Sequence, residues 1–515
     1  MKRIVLILLL SFIYQFSFSQ NENFERKTQK GFTKLDFLSI DMPITNVPNE
    51  KNMELTGIHY NLMVNDWFYG GLGIYGAVSG DRGGFFTLGV NAGVKKIFGN
   101  NFYVDTGFHF GGGGGRAAPD GGGAFILPHF NLGYGFDNFS VNTGWSYVNF
   151  FDGGEIKGNQ FNIAVEIPLN FDYSDYKNRE QDYDFKSLNN SGWDIFSKRT
   201  SLMFHQNNLK IKGRTQQSGG SKYNGETIRL AGFELASYFS NNWFGFVKVD
   251  GAFDGIKAGY MDVFLGAGYL YSFNKNRTNL LAKFGLGAGG GGGIDTKGGF
   301  LIYPDISIEQ KIFDDIFFAI NTGFVMSPNA DVFTQSYGFG IKYYVERNGT
   351  KSINNNFTSG KFKGLEIITK HDIYFDADRD TNTKEDMHQI SLQVNFDLNK
   401  NLFIAGQTSF ANFGDAGAYA EGIVGLGVKT NPLLNEKSTL FFQALAGAAG
   451  GGGIRTGEGL IIKPSAGFNY KLNNKLNLRT SGGYVKAKGG SLSSFFLNFG
   501  ISYNISILKI TNIAS

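Results

Sequence analysis

The chain has 515 residues, no Cys and a net charge of +4. The absence of Cys rules out disulfides, thiolate metal sites, thiol nucleophiles and Cys-linked lipid anchors, and the charge is too small to draw nucleic acid. Aromatic residues make up 16% of the chain and charged residues only 18%, against about 25% charge in an ordinary soluble domain, yet the mean hydropathy is −0.16. That combination arises when apolar and polar residues alternate one by one.

At the N-terminus, Lys2 and Arg3 precede an apolar run at 4–10, and Ser17 and Ser19 offer small residues before a cut at Gln20. This pattern predicts a secretory signal peptide over 1–19, with a retained anchor as the alternative. No later stretch approaches the ~18 consecutive apolar residues of a spanning helix.

Three related segments follow. Each contains a glycine run closed by a proline: "GGGGGRAAPDGGGAFILP" ending at Pro128, "GLGAGGGGGIDTKGGFLIYP" ending at Pro304 and "GGGGIRTGEGLIIKP" ending at Pro464. The prolines are 176 and then 160 residues apart, a period too long for a solenoid repeat, so each copy is domain-sized. The units run over about 30–176, 195–346 and 361–508, separated by the polar connectors "SDYKNREQDYDFKSLNNSG" and "ERNGTKSINNNFTSG".

Inside each unit the dominant period is two. Phe161, Ile163, Val165, Ile167, Leu169 and Phe171 share one face, while Asn162, Ala164, Glu166, Pro168 and Asn170 share the other. Strict alternation of this kind predicts strands, eight in each unit. Tight connections such as "VNDW", "FGNN" and "FDN" alternate with longer loops such as "PITNVPNEKN", "SGDRGG" and "DGGEIKG". Strands of about 10 residues joined alternately by short turns and longer loops are the pattern of an outer-membrane barrel, in which every backbone group is satisfied between strands. A soluble β-sandwich or propeller array shares the period, but its outer face carries charge.

The closing stretch "NFGISYNI" (Gly500, Tyr503, Ile505), with "GFGIKYYV" (Gly340, Tyr343, Val345) at the end of the second unit, resembles the terminal strand of Gram-negative outer-membrane β-barrels. The first unit has Ala164 at the glycine position, and "SILKITNIAS" continues past the closing pattern. The resemblance implies an all-β transmembrane antiparallel barrel in the cell outer membrane, with the lipid bilayer as its surroundings. Of the two ways to assemble about 24 strands, one ring is expected over three tandem eight-stranded barrels. The glycine runs fall at a strand end and long loop. There they either let the backbone bend or approach a neighbour closely at the rim, or form a surface for a protein or glycan partner.

The residues hold little chemistry. His109 and His129 lie on adjacent predicted strands, but no nucleophile–base–orienter set accompanies them, so no catalytic residues and no organic cofactor are expected. The GxGxxG-like overlaps in the glycine runs precede no helix and are not dinucleotide fingerprints. One metal candidate stands out: "DADRDTNTKED" places Asp376, Asp378 and Asp380 at alternate positions, as a calcium loop does, although Thr381 and Met387 replace its Gly and Glu. A non-enzymatic outer-membrane channel or passive conduit is the expected function. A docking or structural membrane protein is the alternative, and a lipid-modifying barrel enzyme a distant third.

Overall fold

The computed structural model describes residues 24–43, 50–212, 215, 225–256, 258–351, 357–435 and 437–512. The expected signal peptide at 1–19 lies outside the described residues.

A short strand, β1 (Lys27–Gln29), leads into eight strands: β2 (Gly31–Ile40), β3 (Met53–Met63), β4 (Phe68–Ser79), β5 (Phe86–Phe98), β6 (Phe102–Gly114), β7 (Phe125–Gly135), β8 (Ser140–Phe150) and β9 (Lys157–Pro168). The connector carries β10 (Phe171–Asp175), β11 (Asp182–Asp184) and a one-turn helix, Phe185–Leu188. The second set is β12 (Lys198–Ile211), β13 (Thr227–Tyr238), β14 (Trp243–Asp254), β15 (Met261–Phe273), β16 (Thr278–Gly290), β17 (Phe300–Phe313), β18 (Ile316–Ser327) and β19 (Val332–Arg347). The third is β20 (Phe357–Asp378), β21 (Lys384–Asp397), β22 (Leu402–Phe413), β23 (Ala420–Lys429), β24 (Ser438–Gly450), β25 (Leu460–Lys471), β26 (Leu476–Ala487) and β27 (Ser493–Asn512).

Each set closes on itself. β9 returns to β2, with Ile163 opposite Phe37. β19 returns to β12, with Gly340 opposite His205. β27 returns to β20, with Gly500 opposite Lys370. The expected single ring is therefore corrected to three eight-stranded barrels. Eight strands already enclose an interior that side chains can fill, so no unit needs its neighbours to satisfy its edges.

The alternation places its two faces as the period requires. On β9, Phe161 is 70% exposed while Asn162 is 3% exposed. At the short-turn end of the first barrel an exposed aromatic chain runs from Phe98 to Phe102, Tyr134, Phe136 and Phe139, with centroid spacings of 4.7–6.2 Å. Such girdles sit at a membrane–water boundary. The repeated prolines, which lack a donor, fall where a ladder skips. Pairing passes from Ile126 to His129 around Pro128, from Ile302 to Asp305 around Pro304, and from Ile462 to Ser465 around Pro464.

The C-terminal extension belongs to the short-turn side. The end of β27 pairs with β10 through Ser506 and Ile505, and with β19 through Ile510 and Lys509, while β11 pairs with β20. Leu188, Trp193, Phe362, Leu508 and Ile510 form a small apolar core beneath the barrels. Residues after "NFGISYNI" thus hold the connector.

The barrels pack side by side in a cyclic order. β4 of the first meets β16 of the second, β14 of the second meets β24 of the third, and β22 of the third meets β6 of the first. In every case the third strand of one barrel lies on the fifth strand of the next, a head-to-tail contact that closes after three copies. Phe86, Leu88, Val263, Ala288 and Phe410, which point outward from their own barrels, are buried together between them.

The glycines explain how the backbones come so close. A Cβ on Gly76 would stand 2.8 Å from the Cβ of Ala288, and one on Gly251 would stand 2.8 Å from the Cβ of Ala448. In the remaining seam the sizes are exchanged: Phe410 occupies the place of Gly76 and Gly251, and Gly112 occupies the place of Ala288 and Ala448, against the Ala411 backbone.

Candidate functional site

The alternation that sends Phe and Ile outward sends polar side chains inward, and many of these interior positions carry charge. In the first barrel, Asp36 Oδ1 lies 3.2 Å from His59 Nε2, and Asp36 Oδ2 accepts from Tyr75 Oη at 2.8 Å. Asp105 lies 3.3 Å from His129 Nε2 and 3.8 Å from Lys34 Nζ, and accepts from Tyr69 Oη at 2.8 Å. His109 joins this group through Asn91, Nδ1 to Oδ1 at 2.5 Å. His109 and His129 thus share one interior, as their strand positions suggested. The cavity among them measures about 20 Å³, room for about one water.

The second barrel is filled by ion pairs. Lys283 Nζ sits 2.8 Å from Glu234 and 3.1 Å from Asp305. Lys342 Nζ sits 2.8 Å from Glu309, and Asp250 is paired with both Lys248 and His205. In the third, Lys463 Nζ bridges Asp372 at 3.0 Å and Glu421 at 2.7 Å. Lys429 holds Glu366 at 3.0 Å and Asp397 at 2.6 Å. Tyr176 of the connector enters this last group, donating to Glu366 at 2.5 Å and accepting from Lys429 at 2.6 Å. Buried charges survive only when paired and hydrogen-bonded, and here each barrel supplies both signs. The signal was present in the sequence as charges two apart on a strand, Lys248 with Asp250 and Lys370 with Asp372.

The calcium candidates are not gathered. Asp376 donates its backbone N–H to Asp386 at 3.1 Å, Asp378 uses its carbonyl to accept from Arg455 N–H at 3.2 Å, and Asp380 faces the Arg455 guanidinium at 3.9 Å. Among the described residues, no group of three or more His, Asp or Glu side chains is placed to hold a metal ion.

The glycine-rich loops touch one another across the seams. Arg116 donates to Asp295 at 2.9 Å and to the Ile294 carbonyl at 3.1 Å, joining the first barrel to the second. At the seam of the first and third barrels, Asp120 accepts from Gly115 N–H at 2.9 Å. Burial pushes its carboxyl up to about 7, with Asp415 adding to the rise and Arg82 opposing it.

Closed rings with apolar outsides, an aromatic girdle and interiors sealed by paired charge satisfy every requirement for crossing lipid as strands. The chain folds as closed β-barrels built to cross a lipid bilayer. No protein-family model matches it, and no curated protein matches it. Among solved structures it is similar to OpdQ of Pseudomonas aeruginosa (9% identity, 94% of this chain and 100% of that one, TM-score 0.21). It is also similar to OccAB4 of Acinetobacter baumannii (11%, 95% and 100%, 0.21) and to the FrpB iron transporter of Neisseria meningitidis (8%, 93% and 81%, 0.28). Scores of this size carry no argument about function, and the membrane assignment rests on the geometry above.

Proposed function

We propose that the protein is a non-conducting structural or docking platform of the outer membrane, three fused barrels that present one broad rigid face on each side of the bilayer. The observation behind this reading is the filling of all three interiors by buried ion pairs, with Lys283 between Glu234 and Asp305 and Lys463 between Asp372 and Glu421. A conduit needs water through a lumen, and the void in the first barrel is of water size. Between the barrels, Phe86, Leu88 and Phe410 are buried in apolar contact, which weighs against a second route there. The same enclosure weighs against lipid chemistry at His59, His109 or His129, which are 2–9% exposed. Rim loops engaged with each other make a fixed surface, which suits a partner that recognises shape. Planar-bilayer recording of the purified full-length chain tests the reading: a silent bilayer supports it, and stable single-channel steps restore the conduit.

A further inference from the structure

Of the six histidines, four are buried inside barrels: His59, His109, His129 and His205. His371 and His388 are half-buried and face outward on adjacent strands of the third barrel. His371 Nε2 lies 3.0 Å from His388 Nδ1. The two rings are flanked on either side, His371 by Phe499 at 5.5 Å and His388 by Phe413 at 6.2 Å. Phe413 in turn packs on Phe151 of the first barrel at 6.1 Å, so the pair borders a seam.

The repeat supplies an internal control. The ladder irregularity that follows His388 recurs after Glu54 and Arg229, so these three positions correspond. Pairing then makes Phe37 and Gln206 the counterparts of His371. The fold accepts a phenyl ring or an amide at one position and charge at the other, so the two imidazoles are particular to the third barrel. Glu54 and Arg229 are exposed, which sets this level at the outer water boundary, where an aqueous ion has access.

We propose that His371 and His388 chelate a divalent transition ion, copper(II) in preference to nickel or zinc, with solvent completing the coordination. At the ~2.0–2.1 Å metal–imidazole distance, nitrogens 3.0 Å apart subtend roughly 90–100° at the ion, the angle between adjacent ligands in the tetragonal geometry that copper(II) favours; copper also heads the affinity order for nitrogen ligands. In the structure the two nitrogens are hydrogen-bonded to each other, so metal binding replaces that bond, with the donor ring shifting its proton to its other nitrogen and both rings turning toward the ion. The flanking phenyl rings limit the side-chain freedom lost on binding.

The test is electron paramagnetic resonance of the full-length protein in detergent with one equivalent of copper(II) alone. The expected spectrum is axial with coupling to two equatorial nitrogens, and His371→Gln and His388→Gln each abolish the two-nitrogen pattern. Gln206 stands at the first position in the second barrel, so glutamine is compatible with the fold there, and heat-modifiable gel mobility verifies folding of each variant. An unchanged two-nitrogen spectrum in either variant, or no protein-bound copper in the parent chain, overturns the assignment.

Discussion

The backbone N–H of Gly417, in the third barrel, donates to the carbonyl oxygen of Gly121, in the first, at 3.0 Å, and Gly83 of the first barrel donates in the same way to Lys297 of the second at 2.6 Å. The two bonds join corresponding loops, so these two seams repeat one contact. Side-chain size follows the same logic, with Gly facing Ala in two seams and Phe410 placed beside Gly112 in the third.

That exchange predicts coupling. Gly112→Ala adds a methyl against the Ala411 backbone and is expected to cost about 1–3 kcal/mol by overpacking. Phe410→Gly removes a buried ring and is expected to cost about 3–5 kcal/mol. Together they recreate the Gly–Ala pairing of the other seams, so the double variant loses less than the sum of the two. Urea unfolding in detergent, followed by tryptophan fluorescence, gives the three values. Strict additivity contradicts the seam as described.

Asp120 makes the rim sensitive to pH. Its carboxyl is raised from 3.8 to about 7 by burial, so the folded loop favours the protonated form. The corresponding stabilisation is fully present below about pH 4 and is lost as pH rises through 7. The melting temperature is therefore expected to fall between pH 5 and pH 8. Thr296 and Thr456 occupy the matching loop position, each accepting at its carbonyl from the glycine three residues on, so Asp120→Thr is the conservative replacement. It shrinks the difference between the two pH values.

Inside the second barrel, Lys283 is 1% exposed at its side chain and neutralises two carboxylates. Lys283→Ala leaves Glu234 and Asp305 without their shared cation, and removal of one partner from a buried pair costs about 3–5 kcal/mol. Because each barrel closes on its own ladder, the loss is expected in the second barrel's unfolding transition, with the protease resistance of the first and third retained. A uniform loss across all three barrels contradicts separate closure.

The strands were legible because lipid and a closed interior enforce period two, as along Phe161–Phe171. Closure was not, since a ladder from β9 to β2 and one from β9 to a following unit demand the same alternation. The interior ion pairs were half-legible. Lys370 and Asp372 are visible two apart, but Lys463 meets Asp372 and Glu421 only when distant strands curl together. The glycine runs read either as places of close backbone approach or as a partner surface; the structure shows the close approach, yet nothing in one repeat names another barrel as the neighbour. The outward pair of His371 and His388 was invisible for a similar reason: it joins diagonal positions across a register fixed by a bulge.

The central claim is that three barrels close separately and are held by their seams. It is tested most directly by placing a specific protease site between Arg347 and Phe357, nicking the folded protein in detergent, and separating the pieces without heating. The account predicts a nicked complex that stays together, and that on dissociation in mild denaturant yields a third-barrel fragment with the compact, heat-modifiable mobility of a folded barrel. A fragment that unfolds as soon as it leaves the complex, as a segment cut from one continuous ring must, contradicts it.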